Sequence, residues 1–296
     1  MISFIVPAHN EEVWIGRCVS AIRSALESID EPYEIIVVDD ASSDATASIG
    51  RQEGAQVVRV EHRQISATRN AGARQAHGDI LFFVDADTLV NAPAIQSALR
   101  SVRAGAVGGG CFPRFEGRLP LWVRQWMPVL EHLCRWWHFL PSGACLFCTR
   151  RAFEVAGGFN EAYYAAEDVV FVATLRRQGR FVIPAETVVT SGRKARAHSF
   201  LSLASLSTRL ILRGSRGLRS RRGLEYWYES EREKTKRDER AHPVKKRKRR
   251  TVRTEQHHHG RKKPVQPEGC HRRDQRRGKR HHEGCLHDGV AQQVAR

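Results

Sequence analysis

Asp85 and Asp87 stand one residue apart at the end of an apolar run, Ile80 to Val84. The run is too short for a lone helix and rich in strand formers, so it reads as a buried parallel strand. Parallel strands of α/β sheets end at a crevice where ligands bind, and strand residues two apart point the same way. Two carboxylates so placed can hold a hard divalent cation, which completes its shell with substrate phosphates. The competing reading is a turn whose two Asp cap the helix after Pro93. A second acidic pair, Glu167-Asp168, opens a helix expected over Val169 to Arg177; the helix dipole alone favours acids there. A third pair, Asp39-Asp40, ends another apolar run.

The elements that must position these acids alternate. Ile2 to Val6, closed by Pro7, is expected as a strand, and Ala8-His9-Asn10-Glu11-Glu12 as a turn. Ile15, Val19, Ile22 and Leu26 then recur at helical spacing. Tyr33 to Val38 is a second strand, and Ser42, Ser43 and Asp44 offer N-caps to a helix that stops at Gly54. Ala55 to Val60 is a third strand, and Ile65 to Ala76 a helix running into the acid-bearing strand. This alternation predicts an α/β, doubly wound, mostly parallel sheet flanked by helices, with the acidic loops along one edge. Farther on, the expectation is a strand at Ala106 to Phe112, a strand at Gly143 to Cys148, a helix at Arg150 to Ala156, and short strands at Phe181 to Ile183 and Val188 to Thr190. Leu119 to Phe139 carries four of the six tryptophans among arginines. It reads as a helix packed on the sheet, or as an amphipathic patch that meets an apolar acceptor or a membrane surface.

Composition excludes several classes. No G-x-G-x-x-G follows the first strand, and there is no P-loop. Seven scattered cysteines make no disulfide framework. Cys145 and Cys148 form one C-x-x-C, read as two buried cysteines in a strand rather than a zinc half-site or redox pair. Met1 leads straight into a strand, and no uncharged apolar stretch reaches membrane-spanning length, so the expectation is a cytoplasmic protein without leader or transmembrane helix.

The order of motifs resembles glycosyltransferase family 2: F-I-V-P-A-H-N-E-E, I-I-V-V-D-D-A-S-S-D-A-T, A-T-R-N-A-G-A, F-V-D-A-D-T, G-G-F-N-E and A-E-D-V-V-F. The resemblance covers about residues 1–200. It implies the GT-A fold, a nucleotide-sugar donor, a divalent cation (Mn2+ or Mg2+) and inversion at the anomeric carbon. Carried over by position, Pro7, Ala8, Asn10 and Glu11 would line the nucleotide, Asp40 would hydrogen-bond the base, and Arg69 would lie near the nucleotide. Asp85 and Asp87 match the family's Asp-x-Asp, with Asp87 the firmer metal ligand. Glu167-Asp168 matches the acceptor-side acidic pair, with Asp168 the general base. Arg193 and Lys194 could reach the diphosphate and His198 could be a further metal ligand, although a solvated basic loop explains them equally well. The aromatic-arginine motif of processive synthases is missing after Glu167-Asp168, which implies transfer of a single sugar. The acceptor, whether saccharide, lipid-linked or small molecule, is not legible. A nucleotidyltransferase on a similar sheet is the competing enzyme class, but its glycine-rich basic loop is replaced by Ala-His-Asn-Glu-Glu.

The charge of +17 belongs to the end of the chain: residues 1–200 hold 21 Lys+Arg against 21 Asp+Glu. The expected division is therefore a catalytic domain over 1–229 and a basic tail over 230–296. The tail has no Phe, Trp, Tyr, Ile or Met, so it cannot bury enough apolar surface to offset chain entropy and is expected to be disordered. Its Lys245 to Arg250 run suits an anionic membrane; nucleic acid has no support outside this run. A shifted reading frame in GC-rich DNA would produce the same Arg/His/Gly-rich text. Cys270, His281, His282 and Cys285 fit no standard zinc spacing.

Overall fold

The structure, a computed structural model, describes residues 1–117, 125–126, 128–129, 131–133 and 143–193. The expected alternation is present: β1 (Ile2–Ala8), α1 (Ile15–Leu26), β2 (Tyr33–Asp40), α2 (Thr46–Gln52), β3 (Gln56–Val60), α3 (Ile65–Gln75) and β4 (Ile80–Val84). Then follow β5 (Thr88–Leu89), α4 (Ala92–Arg103), β6 (Gly108–Gly110), β7 (Phe112–Glu116), β8 (Cys145–Thr149), α5 (Arg150–Ala156), α6 (Glu167–Gln178), β9 (Phe181–Val182) and β10 (Thr187–Ser191).

Seven strands form one sheet in the order β3-β2-β1-β4-β8-β6-β9. The pairs among β1 to β4 are parallel, and β8 runs antiparallel to both of its neighbours. Strand order reverses between β1 and β4, so the crevice beyond their carboxyl ends is the topological switch point. Side chains alternate across the sheet. Phe4 and Val6 join a core layer with Ile15, Val19, Ile22 and Ile95, under α1 and α4. Ile5 joins Val38, Phe83, Phe159 and Phe171 on the opposite face, under α3, α5 and α6. The result is helices on both faces of a buried sheet. Cys145 lies in the first layer and Cys148 in the second, so the C-x-x-C is two separate buried thiols and cannot act as a redox pair. Among the described residues no helix is long and apolar enough to cross a membrane.

Three local expectations change. β1 runs on through Pro7 and Ala8, which pair with Val38 and Asp39 on β2. Its pairing with β4 stops earlier, at Ile5↔Phe83, so Pro7 withholds no N–H from β4. The single strand expected over Ala106 to Phe112 is two strands in two sheets: β6 lies beside β8, while β7 pairs with β10, itself paired with β5. Cys111 is the crossing point, its N–H still bonded to the Cys145 carbonyl at 3.0 Å. Finally, β4 ends at Val84. Asp85 and Asp87 occupy a turn closed by the Thr88 N–H on the Asp85 carbonyl at 2.9 Å, so strand alternation is not what orients them.

Candidate active site

The loops after β1 and β2 are stitched together at the switch point. Asn10, with a left-handed φ of 55°, donates its N–H to Ser42 Oγ at 2.9 Å and accepts from the Ser43 N–H at 2.8 Å. The Glu11 N–H reaches Thr46 Oγ1 at 2.7 Å, and Glu12 accepts from the Ala45 N–H at 3.0 Å. Ser42 and Ser43 thus bind Asn10 rather than cap a helix; the cap position of α2 is Ala45, and Asp44, one residue before it, accepts from the Thr46 N–H at 3.0 Å. Pro7 and Ala8 are buried at the end of β1, so the exposed floor of this loop begins at His9.

Asp40 is 5% exposed and faces the start of α3. Its carboxylate accepts from the Arg63 N–H at 2.8 Å, the Gln64 N–H at 3.2 Å and Thr68 Oγ1 at 2.8 Å. These satisfy N–H groups that the helix start leaves open. Asp40 therefore anchors α3, the helix that carries Arg69. Gly72 lets the same helix lie against the sheet, since a Cβ there would be 2.5 Å from Ile5 Cγ2.

The turn after β4 presents two acids to different partners. Neither caps the following helix, because Asn91 does so by accepting the Ala94 N–H at 2.9 Å; the capping reading of Asp85 and Asp87 is thereby removed. Asp87 is nearly buried. Its carboxylate accepts from Thr190 Oγ1 at 3.4 Å and pairs with Arg193 at 3.2 Å, and its carbonyl receives the Ser191 N–H at 3.1 Å. Arg193 also pairs with Glu11, so one guanidinium gathers acids from the loops after β1 and β4. Asp85 turns the other way, to Arg69 at 2.8 Å.

Arg69 is 1% exposed. Besides Asp85 it donates to Glu167 Oε1 at 3.0 Å and to the Gly143 carbonyl at 3.4 Å, and its guanidinium lies 5.1 Å from the Phe159 ring centre. The two acidic stations thus meet on a single side chain. Glu167 and Asp168 lie in the first turn of α6, behind Ala166 in a left-handed conformation. Burial pushes the Glu167 carboxyl up to about 7, opposed by Arg69 and reinforced by Asp168. Burial likewise raises Asp168, against the pull of Arg69 and of the Val169 and Gly143 N–H groups. A carboxylate held above its usual range is a competent proton acceptor near neutrality.

Among the described residues no group of three or more Asp, Glu, His or Cys is arranged to hold a metal ion. Asp87 and Glu11 already share a positive group, and Asp85 sits in the same turn with a partly exposed side chain. Oxygen donors of this kind suit Mn2+ or Mg2+. His198 and Lys194 lie outside the described residues, as do Trp122, Trp136, Trp137 and the chain from 194 onward. The internal pairing of Arg69 with Glu167 and Asp85 had no local signal in the sequence.

The sequence model of the Glycosyl transferase family 2 matches residues 3–163, more than half of the chain. Glycosyltransferase AglE of Haloferax volcanii is 36% identical over 92 residues, 29% of this chain and 30% of that protein. An undecaprenyl-phosphate 4-deoxy-4-formamido-L-arabinose transferase of Serratia proteamaculans is 35% identical over 100 residues, 31% of this chain and 30% of its own. The matched part therefore spans about 30% of these relatives' length. A mannosyltransferase of Pyrobaculum calidifontis, solved with GDP-Man and Mn2+, superposes with a TM-score of 0.52 at 24% identity, over 70% of this chain and 64% of that one. Glucosyl-3-phosphoglycerate synthase of Mycobacterium tuberculosis, solved with Mn2+ and uridine-diphosphate, gives 0.50 at 20% identity, over 71% and 77%. These two likenesses establish the GT-A type of fold. With the family match spanning both of the first two acidic loops and the Asp85 turn, the chain belongs to glycosyl transferase family 2.

Proposed function

We propose that the protein moves a single sugar from a nucleotide-diphosphate sugar to an acceptor hydroxyl, with inversion. The observation that carries this reading is the Arg69 guanidinium, which holds Asp85 at 2.8 Å and Glu167 at 3.0 Å. The Asp85 turn and the acidic pair of α6 are thereby linked through one side chain. Asn10 and Glu11 line the nucleotide side, with Pro7, Ala8 and Asp40 forming its buried frame. Asp87 and Asp85 would hold Mn2+ or Mg2+, which when bound supplies charge to the departing diphosphate. Arg193, which pairs with Asp87 and Glu11 in the structure, would turn to the diphosphate as a second positive group. Asp168 takes the acceptor proton as the hydroxyl attacks the anomeric carbon opposite the diphosphate, and buried Glu167 shapes its field. The GDP-Man of the Pyrobaculum mannosyltransferase and the uridine-diphosphate of the Mycobacterium synthase support the donor class.

Peripheral contact with a membrane surface, presenting a lipid-linked acceptor, is supported by Trp126, Val129 and Leu133, which are 65%, 47% and 43% exposed. They recur at spacings of three and four, the period of one helix face. Sedimentation with anionic vesicles checks this: binding undiminished in Trp126→Ser removes the patch from consideration.

The decisive experiment is a panel of nucleotide sugars scored for turnover and thermal stabilisation with Mn2+ and Mg2+. One donor or a small set should stabilise the folded chain and be turned over only with metal. A folded protein that ignores every nucleotide sugar refutes the function.

A further inference from the structure

We propose that Arg69 is a positioning residue: it locks the acidic pair of α6 to the Asp85 turn, and Gly143 is the backbone seat of that junction. The proposal rests on the glycosyl-transfer reading above and assigns Arg69 a role different from contact with the nucleotide.

A guanidinium this deeply buried is costly unless paired. Here both Nη atoms are taken, by Glu167, Asp85 and the Gly143 carbonyl. Its Nε, also buried, has no hydrogen-bond partner among the described residues. The group is therefore aimed at the two carboxylates rather than arranged for its own satisfaction. Its planar fork sets the spacing and angle of the acids it joins, which a single ammonium cannot do. The mounting is rigid. α3 is anchored by Asp40 at its start and packed on the sheet at Gly72. Phe159 supports the guanidinium face and stacks on Phe171 of α6, ring centres 4.1 Å apart.

Gly143 closes the junction from the other side. Its carbonyl accepts from Arg69 at 3.4 Å, and its backbone N–H draws the Asp168 carboxyl down against burial. A Cβ at this position would stand 2.9 Å from Asp168 Cβ and 3.2 Å from Arg69 Nη2. Only a residue without a side chain lets both contacts form. At 1% exposure, Arg69 acts on substrate through Asp85 and Asp168 rather than by touching it.

The test uses the full chain and the donor found in the panel. Arg69→Lys keeps the charge and loses the fork. Arg69→Met combined with Glu167→Gln removes both buried charges, so it remains folded where a single truncation would not. In both, kcat should fall on the order of 100-fold, the effect of misplacing reacting groups by about 1 Å, and calorimetric donor affinity should fall by much less. Wild-type kcat at saturating donor, with the whole loss in affinity, overturns the proposal and returns Arg69 to the nucleotide. Carbodiimide labelling of carboxyl groups, read by mass spectrometry, tests the junction without turnover. Glu167 and Asp168 should be shielded in the wild type and labelled in Arg69→Lys; unchanged labelling overturns the proposal whichever donor is used. A folded wild type inert to every nucleotide sugar, with labelling as expected, refutes the function alone and leaves the junction standing.

Discussion

The Asp87 carboxylate and the Arg193 guanidinium stand 3.2 Å apart, with Glu11 paired to the same guanidinium. The positive charge needed at the Asp-x-Asp turn is supplied from within the chain, by the loop after β10. On the proposed function, a cation entering this site would take Asp87 from Arg193, so cation binding would compete with the Asp87–Arg193 pair in the free protein and cooperate with a diphosphate that can accept Arg193.

Arg193→Gln should therefore bind Mn2+ about tenfold more tightly in the absence of donor, which corresponds to ~1.4 kcal/mol, and bind donor more weakly in its presence. Asp87→Asn should lose Mn2+ binding. Titration of free Mn2+ by electron paramagnetic resonance measures both. Equal Mn2+ affinity in wild type and Arg193→Gln contradicts the competition.

Asp168→Asn should leave donor binding intact and lower transfer by ~100- to 10,000-fold, the contribution of a positioned base. The amide preserves the shape that Gly143 and Val169 contact but cannot take the proton. Calorimetry beside a turnover assay checks it; lost donor binding in a normally folded variant would assign Asp168 elsewhere.

Glu167 sets a dependence of stability on pH. Its carboxyl is raised by burial to about 7 in the folded chain, against about 4.3 unfolded. The folded state then holds more protons between those values, so its contribution is full below about 4.3 and is lost as pH rises towards about 7. Glu167→Gln lacks this term. The melting temperature of Glu167→Gln relative to wild type should accordingly climb from pH 5 to 8. A difference that shrinks over this range would mean that pairing with Arg69 outweighs burial.

A chain ended after Glu229 should keep wild-type transfer, because every acid assigned to the reaction precedes position 200. Turnover of the truncated chain with a soluble acceptor decides it, and loss of activity with unchanged folding would make the basic tail part of the enzyme.

Local pattern was enough for the framework. Apolar runs of strand length alternating with helical periodicity specified β1 to β4 and α1 to α3, because burial on a two-faced sheet imposes those periods on neighbouring residues. The place of Asp39-Asp40, Asp85, Asp87 and Glu167-Asp168 at element ends was visible for the same reason, and six motifs in order carried the family. Tertiary structure alone decided what each acid does. Asp40 looks like a free carboxylate in sequence and is spent on the start of α3. Asp85 and Asp87 look equivalent and face Arg69 and Arg193. The stretch Ala106 to Phe112 reads as one strand and divides between two sheets at Cys111. Arg69 and Glu167 are 98 residues apart, and nothing in either neighbourhood specifies the other. Their contact exists because strand order brings α3 and α6 to the same face of the sheet, and because a guanidinium removed from water must find carboxylates wherever the fold has put them.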